Sequence, residues 1–496
     1  MSSWKSRPAG RPRTPQLQPL VGFASALPEA GDVRQLPARD VNVVRTAFRT
    51  VTRLCVHVCE QYLPDAFLLA MLLTFVTAAI AVCVSGSSVY QILDAWYDGL
   101  WSVMPFAMQM ALILCTGVAL ARAPIVKRGL RRLGGLPNGQ TAAAVTVFLT
   151  AAISCWINWG FGLVVGALLA REIAKKLEKV DFSFLVAAGY MGFVVWASGL
   201  SSSIALATAT HGSILNFVEQ ITGRTVGFEH TVLSPANLIP VLLLLVAIPA
   251  VLALMAPTVD EMKCVDPATL ARQDDADEAE WNEYQRRNTL AAQLERSWWI
   301  TVPVVLIGGL YEWHAISSRG FCLDIDGFIF VALIAGMALH SRPIAYVHTF
   351  YAAARTTGPI LLQFPIYGGI MGIMAHTGLA GLIAKLAFTG ATPHTLAFWA
   401  FISSCIVSVF VPSGGGQWAV VGPIVVPAAH NLGADPALAA VGTAMGVQTV
   451  SMMQPFWALP VLALARLGLR DIMGYCVIGM IVAGIAYGGS LLVFAR

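Results

Sequence analysis

Charged residues are scarce in this chain. Lys, Arg, Asp and Glu make up 12% of its 496 residues and hydrophobic residues 57%, whereas soluble proteins carry about 25% charged residues. This composition excludes an ordinary soluble globular protein and predicts a helical protein that crosses a membrane several times. The formal net charge is only +4, so no nucleic-acid partner is expected.

Paired cysteines and catalytic signatures are also missing. The nine cysteines include no CxxC pair, so we interpret them as reduced packing residues and expect no cofactor. No HExxH or GxGD motif occurs. Residues 196–199, WASG, differ from a rhomboid serine motif because Trp196 stands where glycine is needed and no histidine is evidently placed as a base. An intramembrane enzyme is therefore the least favoured class.

The N-terminal region has no long apolar run before Pro64, so no cleavable signal peptide is expected. We predict that residues 1–60 form a cytoplasmic tail. Within it, residues 41–60 have a helical period of apolar residues and a stripe of arginines. This pattern indicates an amphipathic helix on a membrane surface, or equally a solvated helix face packed on the protein.

The first half of the chain, residues 61–257, contains apolar runs of different lengths. Spans are predicted at 64–84, at 100–121 (after a loop carrying Asp94 and Asp98), at 182–210 with a break at 197–203, and at 235–257. Basic clusters flank residues 141–170 on both sides and mark the cytoplasm. These 30 residues are too few for two spans of about 20 residues each, so they predict a re-entrant hairpin that turns at residues 158–160.

The second half, residues 325–496, repeats this order after a cytoplasmic loop (258–296) and a linking transmembrane helix (297–315). Its predicted segments are spans at 327–339 and 359–374, a hairpin at 395–429, a span at 436–467 broken at 451–455, and a last span at 472–494. The predicted fold is an all-α polytopic membrane protein with two inverted-topology repeats. Each repeat has a re-entrant hairpin and a broken transmembrane helix, as in secondary transporters.

Three consecutive glycines, 414–416, follow Pro412 at the tip of the second hairpin. Glycine serves positive φ or close backbone approach, and proline disfavours helix in the residue before it. We therefore expect one helix to end near Phe410 and the next to begin around Gln417. Broken backbone inside a membrane is tolerated where it lines a cavity, and the internal repeat favours such a site over a turn at the membrane surface.

Helix N-termini at the two tips and the two breaks favour a bound anion. No Arg or Lys lies near either tip, so a small, singly charged anion fits best, and tryptophans there either flank its apolar tail or pack against neighbouring helices. The predicted substrate-binding residues are Asn158, Trp159, Gly160, Gly162, Ser201, Ser202, Ser413, Gly414, Gly415, Gly416, Gln417 and Trp418.

Neutral oxygens near the same tips suit a coupling ion. The predicted ligands are Asn158, Ser203, Ser451 and Gln454, and Na⁺ is the only metal expected. Asp and Glu are nearly absent from the span interiors, so a carboxylate proton relay is hard to place. Coupling to Na⁺ is favoured, and coupling to H⁺ remains open.

Three motifs resemble one family over roughly residues 62–494. They are SCWINWGFGLVVGALLARE (154–172), FVPSGGGQWAVVGPIVVPAA (410–429) and MMQPFWALPVLALA (452–465). They resemble the AtoE-type short-chain fatty acid transporter family, within a wider ion transporter superfamily.

The resemblance implies cation-coupled uptake of short monocarboxylates such as butyrate or acetoacetate across the bacterial inner membrane. An anion channel or uniporter is the alternative. Membrane lipid is an expected partner, and a homodimer is one option for the oligomeric state.

Overall fold

The computed structural model describes residues 66–258, 264–270, 289–319, 324–340, 342–379, 390–409 and 411–494, with isolated residues between these ranges. The predictions for residues 1–60 and for most of the acidic loop after residue 258 lie outside these ranges. Within the described residues the chain is helical and has no strand. The predicted all-α class is confirmed.

Helices of the first half are numbered in chain order. They are α1 (Ala66–Ser85), α2 (Val89–Ser102), α3 (Met104–Ala121), α4 (Pro124–Leu133), α5 (Gln140–Ile157), α6 (Trp159–Ala174), α7 (Phe182–Met191), a 3₁₀ helix (Gly192–Ser198), α8 (Ser203–Ala209), α9 (Phe217–Thr222) and α10 (Pro235–Met255).

The remaining helices include two connecting elements, α11 (Leu290–Glu295) and α12 (Trp298–Arg319). The second half then contains α13 (Ile325–His340), α14 (Pro343–Ala354), α15 (Gly358–His376), α16 (Leu396–Ser408), α17 (Gly414–Leu432), α18 (Pro436–Ser451), α19 (Pro455–Ala465) and α20 (Leu469–Val493).

Six segments of the described chain are long and apolar enough to cross a membrane, judged by length and composition. They are Val89–Ala121, Gln140–Ile157, Phe182–Ala209, Pro235–Met255, Trp298–Ser318 and Leu469–Val493. A span needs about 20 predominantly apolar residues. The predicted polytopic membrane protein is therefore confirmed.

The prediction of a loop before the second span is wrong, because this stretch forms helix α2. Ser88 accepts a hydrogen bond from the backbone N–H of Gln91, and the Gln91 side chain accepts one from the N–H of Ser88. This capping box starts the helix. Packing then holds it, since a Cβ on Gly372 of α15 would lie 2.1 Å from the carbonyl oxygen of Ala95 in α2.

The first predicted hairpin consists of α5 and α6, which pack against each other and meet at Asn158. The turn predicted at residues 158–160 is shorter than expected, because only Asn158 lies outside the two helices and Trp159 and Gly160 belong to α6. The predicted break at 197–203 is also present: α7 continues into the 3₁₀ helix, which ends at Ser198, and α8 begins only at Ser203.

Corresponding elements recur in the second half. Helices α16 and α17 pack against each other, and residues between α18 and α19 form the break predicted at 451–455. The expected restart at Gln417 is wrong by three residues, because α17 begins at Gly414 after its N-cap Ser413.

Each half packs some of its helices against a helix of the other half. Helices α13 and α14 pack on α3, whereas α1 and α2 pack on α15. At another contact between the halves, Arg171 of α6 donates from Nη1 to the carbonyl oxygen of Leu464 at 2.9 Å, near the end of α19. A cation suits the carbonyl-rich C-terminus of a helix, so this bond ties the first hairpin to the second half.

Candidate functional site

The tip of the first hairpin is fixed by hydrogen bonds from other segments. Asn158 is the N-cap of α6, and its Oδ1 accepts from the N–H of Phe161 at 2.9 Å. The N–H of Trp159 donates to Ser201 Oγ at 2.9 Å. Two free N–H groups of the helix terminus therefore find partners, and one comes from the break 42 residues further along the chain.

The glycines of this tip permit close helix packing. A Cβ on Gly160 would lie 3.1 Å from the carbonyl oxygen of Leu114 in α3, and one on Gly162 would lie 2.2 Å from Cys155 Sγ in α5. Neither glycine has positive φ. Both act by letting α6 approach its neighbours.

The first break is held by side chains from two other helices. Gln448 of α18 accepts at Oε1 from the N–H groups of Ala197 and Ser198, at 2.9 and 3.0 Å, and donates from Nε2 to Ser198 Oγ at 2.7 Å. Asn237 of α10 donates to the carbonyl oxygen of Ser198 at 2.9 Å. Ser202 is the N-cap of α8, so the polar groups freed by the break are largely paired within the protein.

The three glycines of the second tip are required by packing. None has positive φ, so the expectation of a left-handed backbone is wrong and that of close approach is correct. A Cβ would lie 2.4 Å from Trp196 at Gly414, 2.3 Å from Phe106 at Gly415, and 2.4 Å from Tyr367 at Gly416. Aromatic rings from both halves therefore rest directly on the first turn of α17.

Two residues predicted to bind substrate instead form hydrogen bonds within the protein. Gln417 donates from Nε2 to the carbonyl oxygen of Ser404 at 2.7 Å, and its Oε1 accepts from Ser408 Oγ at 2.6 Å. These bonds join the two arms of the second hairpin. Trp418 is fully buried and donates from Nε1 to the carbonyl oxygen of Leu215 at 2.8 Å. Neither residue lines the cavity described next.

A small cavity lies where the second tip meets the first break. Its volume is ≈ 10 Å³, about the room that one water molecule needs. It is lined by Met110, Trp159, Trp196, Ser203, Ile360, Phe364, Ser413, Gly414, Gly415 and Trp457. We call it the tip cavity.

The polar atoms of the tip cavity are mostly donors without partners. The indole N–H groups of Trp159 and Trp196 and the hydroxyl of Ser203 are buried and form no hydrogen bond within the described residues. The cavity also contains the N-terminus of α17, whose first N–H groups have no intrahelical partner. Buried polar groups normally pair, so several unpaired donors around one cavity indicate a site for an acceptor, and the helix terminus favours an anion.

An aromatic cluster forms one wall of this cavity. The ring centroid of Trp457 lies 5.3 Å from that of Trp159 and 5.8 Å from that of Trp196, which stacks on Phe193 at 5.3 Å. Trp457 Nε1 donates to the carbonyl oxygen of Pro412 at 2.7 Å. This bond links the second half of the broken helix to the tip.

The four predicted ion ligands do not share one set of free oxygens. Asn158 Oδ1 accepts from Phe161, and the Ser451 hydroxyl donates to the carbonyl oxygen of Val447 at 2.7 Å. Ser203 lines the tip cavity. Gln454 donates to the carbonyl oxygen of Ser408 at 2.6 Å and leaves its own buried Oε1 without a partner.

Several cavity residues were missed by sequence reasoning. Met110, Ile360 and Phe364 are apolar residues of largely apolar helices, so nothing in their pattern distinguishes them. Trp196 and Trp457 had a detectable signal, because each lies within a few residues of a predicted helix break. Tryptophan beside broken backbone deserves the same weight as serine or asparagine, since its N–H needs a partner when buried.

Broken helices and hairpin tips that meet at one donor-lined cavity define a membrane transporter architecture. Residues 47–494 match the family described as "Short chain fatty acid transporter". The chain belongs to this family, which confirms the resemblance, and it is a transporter rather than an enzyme.

Two curated relatives carry the name "Putative short-chain fatty acid transporter". The protein from Escherichia coli is 38% identical over 90% of this chain and 99% of its own length. The protein from Haemophilus influenzae is 36% identical over 87% of this chain and 96% of its own length.

One solved structure shows a likeness of fold alone. The YdaH transporter of Alcanivorax borkumensis, described as having an unusual topology, aligns with a TM-score of 0.52 at 14% sequence identity. The alignment covers 87% of this chain and 98% of that one.

We expect Gly415→Val to abolish transport while leaving the protein folded. The new side chain would overlap Phe106, which is 2% exposed, so the first turn of α17 must move away from that ring and change the shape of the tip cavity, which Gly415 lines. Initial uptake rates in proteoliposomes and thermal unfolding measure the two effects. Gly309→Val is the matched control, because a Cβ there meets nothing within 4 Å. Near-normal uptake by the Gly415 variant would show that the close approach is dispensable.

Proposed function

We propose that this protein takes up short monocarboxylates, such as butyrate or acetoacetate, by cation-coupled symport. The observation that carries the proposal is the tip cavity. Its unpaired polar atoms, two indole N–H groups and one hydroxyl, can all donate, and they face a lining that includes the N-terminus of α17. A carboxylate accepts such bonds, and charge-assisted bonds of this kind are about twice as strong as neutral ones.

A single negative charge suits the cavity better than two. No Arg, Lys or His lines it, and one helix terminus contributes at most about 2 kcal/mol towards a charge. Desolvating a carboxylate costs several kcal/mol. The donors available would offset that cost for one carboxylate, and a second would have no cation to meet.

The apolar lining suits the tail of the same ligand. Met110, Ile360 and Phe364 line the cavity together with the tryptophan rings. Each methylene buried against them contributes about 0.8 kcal/mol. The proposed ligand thus carries a carboxylate at one end and a short hydrocarbon at the other.

Binding requires the cavity to expand, because a volume of ≈ 10 Å³ is too small for a carboxylate with a hydrocarbon tail. We infer an occluded conformation in a cycle of alternating access. The recurring order of elements in the two halves supports inverted repeats with re-entrant hairpins, in which one part rocks against the other around a fixed site. Saturable, gradient-driven uptake would distinguish this cycle from an anion channel or uniporter.

The membrane potential requires a coupled cation. Inward movement of a bare carboxylate against a negative-inside potential is opposed by about 2.3 kcal/mol per 100 mV, and one co-transported cation cancels that term. Gln454 Oε1 is a buried neutral oxygen without a partner, and no Asp or Glu lines the tip cavity to relay a proton. These features favour Na⁺ over a relayed proton.

We place the protein in the bacterial inner membrane with its N-terminus in the cytoplasm. The basic helix α4 carries Lys127, Arg128, Arg131 and Arg132, and basic loops favour the cytoplasmic side. Lipid is its surrounding partner. A homodimer remains one option for the assembly.

Removing one donor should weaken substrate affinity. Ser203→Ala loses only the hydroxyl. Trp196→Phe keeps an aromatic ring beside Phe193 and loses the N–H together with part of the indole ring. A hydrogen bond to a charged group contributes about 1.5–3 kcal/mol, so KM should rise about tenfold or more.

Uptake measured over a range of butyrate concentrations gives KM for each variant. Trp399→Phe serves as the control, because Trp399 is 43% exposed and outside the cavity. An unchanged KM in both cavity variants would contradict carboxylate binding there.

Both ends of the first hairpin should face the cytoplasm if it is re-entrant. In a cysteine-free background, Asn138→Cys and Glu178→Cys place thiols at exposed positions before α5 and after α6. We expect an impermeant maleimide to label both only from the cytoplasmic side. Arg224→Cys, at an exposed position after α9, should be labelled only from outside. Labelling of Asn138→Cys or Glu178→Cys from outside would remove the re-entrant hairpin.

Replacing external Na⁺ with K⁺ should reduce concentrative uptake towards the level of protein-free liposomes. The expected cause is loss of the coupled cation that offsets the charge of the carboxylate. Uptake is measured in proteoliposomes with Na⁺ and H⁺ gradients imposed separately. Uptake that persists in K⁺ and collapses only without a proton gradient would reject Na⁺ coupling and leave the carboxylate site standing.

A further inference from the structure

A second group of buried polar atoms without partners lies away from the tip cavity. His340, at the end of α13, and Tyr346, near the start of α14, are 6% and 8% exposed. Their ring centroids are 5.5 Å apart in an edge-to-face arrangement. His340 Nε2 and the Tyr346 hydroxyl are both buried without a hydrogen-bond partner in the described structure. His340 is also the one histidine that is buried among the described residues.

The hydrogen bond at the other ring nitrogen sets the state of this imidazole. His340 Nδ1 lies 2.9 Å from the carbonyl oxygen of Gly336, and a carbonyl oxygen can only accept. Nδ1 therefore carries a hydrogen, and in the neutral ring Nε2 is a free acceptor. A proton arriving at Nε2 converts it into a donor. The adjacent ring of Tyr346 carries a hydroxyl that can accept from Nε2 once the two side chains move into hydrogen-bond distance.

A third buried polar atom without a partner belongs to a helix that packs on both α13 and α14. It is Thr301 Oγ1, near the start of α12. Buried polar atoms are thus left unpaired on three helices that pack against one another.

The surroundings of the pair make a positive charge costly in this conformation. Of the helices packed on α13, α8 has no titratable side chain and α12 has none between its start and Gly308. Lys127 of α4 interacts electrostatically with His340, and Cys115 of α3 does so with Tyr346. Arg342 and His348 are the other charged or titratable groups near the start of α14. A protonated imidazole here would be buried among apolar side chains, with a lysine rather than a carboxylate as its charged neighbour.

We propose that His340 and Tyr346 form a proton-binding site that controls the conformational equilibrium of the transporter. Helix α3 connects this site to the transport machinery. Helices α13 and α14 pack on α3. Further along α3, Met110 lines the tip cavity, Phe106 rests on Gly415, and the carbonyl oxygen of Ile113 lies 3.4 Å from Asn158 Nδ2.

Protonation disfavours the packing of α13 and α14 on α3, because it places a positive charge in that interface with no carboxylate to neutralise it. It therefore shifts the population away from the occluded conformation. This inference rests on the proposed transport function and concerns its regulation. Because the charge is costly in this conformation, the population shift is expected towards the acidic end of the range in which histidine normally changes charge, about pH 5–8.

The test measures initial butyrate uptake from about pH 5 to about pH 8 with the same pH on both sides. The Na⁺ gradient and membrane potential are held constant, and uptake by protein-free liposomes is subtracted. Wild-type uptake should be about threefold or more faster at the acidic end. His340→Gln, which cannot become charged, should stay near the wild-type alkaline rate throughout. His394→Gln is the control, because His394 is exposed, and it should keep the wild-type profile.

Tyr346→Phe tests the same site with a smaller change. It keeps the ring packing and removes the acceptor hydroxyl, so the midpoint of the pH profile should move to lower pH. A flat wild-type profile with intact Na⁺-driven uptake would overturn the proton site alone. A wild-type profile in His340→Gln would do the same. Absence of Na⁺-driven uptake at every pH would instead count against the proposed function.

A measurement that does not depend on transport tests the proton site even when no uptake is observed. Cys115 is 3% exposed, and it becomes more accessible if α14 separates from α3. Its maleimide labelling rate in the wild type, divided by the rate in His340→Gln at the same pH, should rise as the pH falls, because the ratio cancels the intrinsic pH dependence of the thiol reaction. A ratio that stays at one overturns the proposal even if no uptake can be measured.

Discussion

Broken backbone inside a membrane must find its hydrogen-bond partners within the protein, and the structure depends on that constraint. Each interruption receives a hydrogen bond from a distant segment. Gln448 pairs with the first break, and Ser201 pairs with the first tip. The hydroxyl of Tyr190 lies 2.7 Å from the carbonyl oxygen of Ser451 at the second break. Trp457 pairs with the residue before Ser413 at the second tip. Because most of these bonds cross the chain over long distances, the interruptions hold the helices together rather than weaken them.

The same comparison of hydrogen-bond partners identifies the buried polar groups that have none. Where nearly all buried polar groups pair, the unpaired donors of Trp159, Trp196 and Ser203 stand out, and all three line one cavity. Ser203 and Trp196 lie against a glycine of the second tip. A Cβ on Gly414 would lie 2.8 Å from Ser203 Oγ. Because the first turn of α17 has no side chains, its N-terminus lies close to the donors of Ser203 and Trp196.

Helix α3 is the common neighbour of the features that matter for transport. It contacts the first tip, carries two residues at the second tip, and supports α13 and α14 from the other half. The exchange of helices between halves means that neither half can move without changing its packing on the other. A change at the end of α13 is therefore transmitted to the cavity through α3, since close-packed interiors transmit strain.

The sequence by itself determined the class, the family, the positions of both tips and both breaks, and the need for small residues at the second tip. These follow from local signals: apolar runs of spanning length, polar residues that cap helices, and glycines after proline. It misplaced α2, whose start depends on a capping box at Ser88 and whose packing depends on Gly372 far along the chain. It also gave Gln417 and Trp418 to the substrate, although both have internal partners.

Only the tertiary structure decided which polar side chains remain unpaired, because hydrogen-bond satisfaction depends on segments far apart in sequence. Ser201 and Ser203 are two residues apart and look alike in the sequence. The first receives a bond from Trp159, while the second is left free beside the α17 terminus. The same holds for His340, whose burial is set by α14 and α3 rather than by its neighbours in the chain. Spacing along a helix determines the face on which a residue lies, and the packing of other helices determines what it meets there.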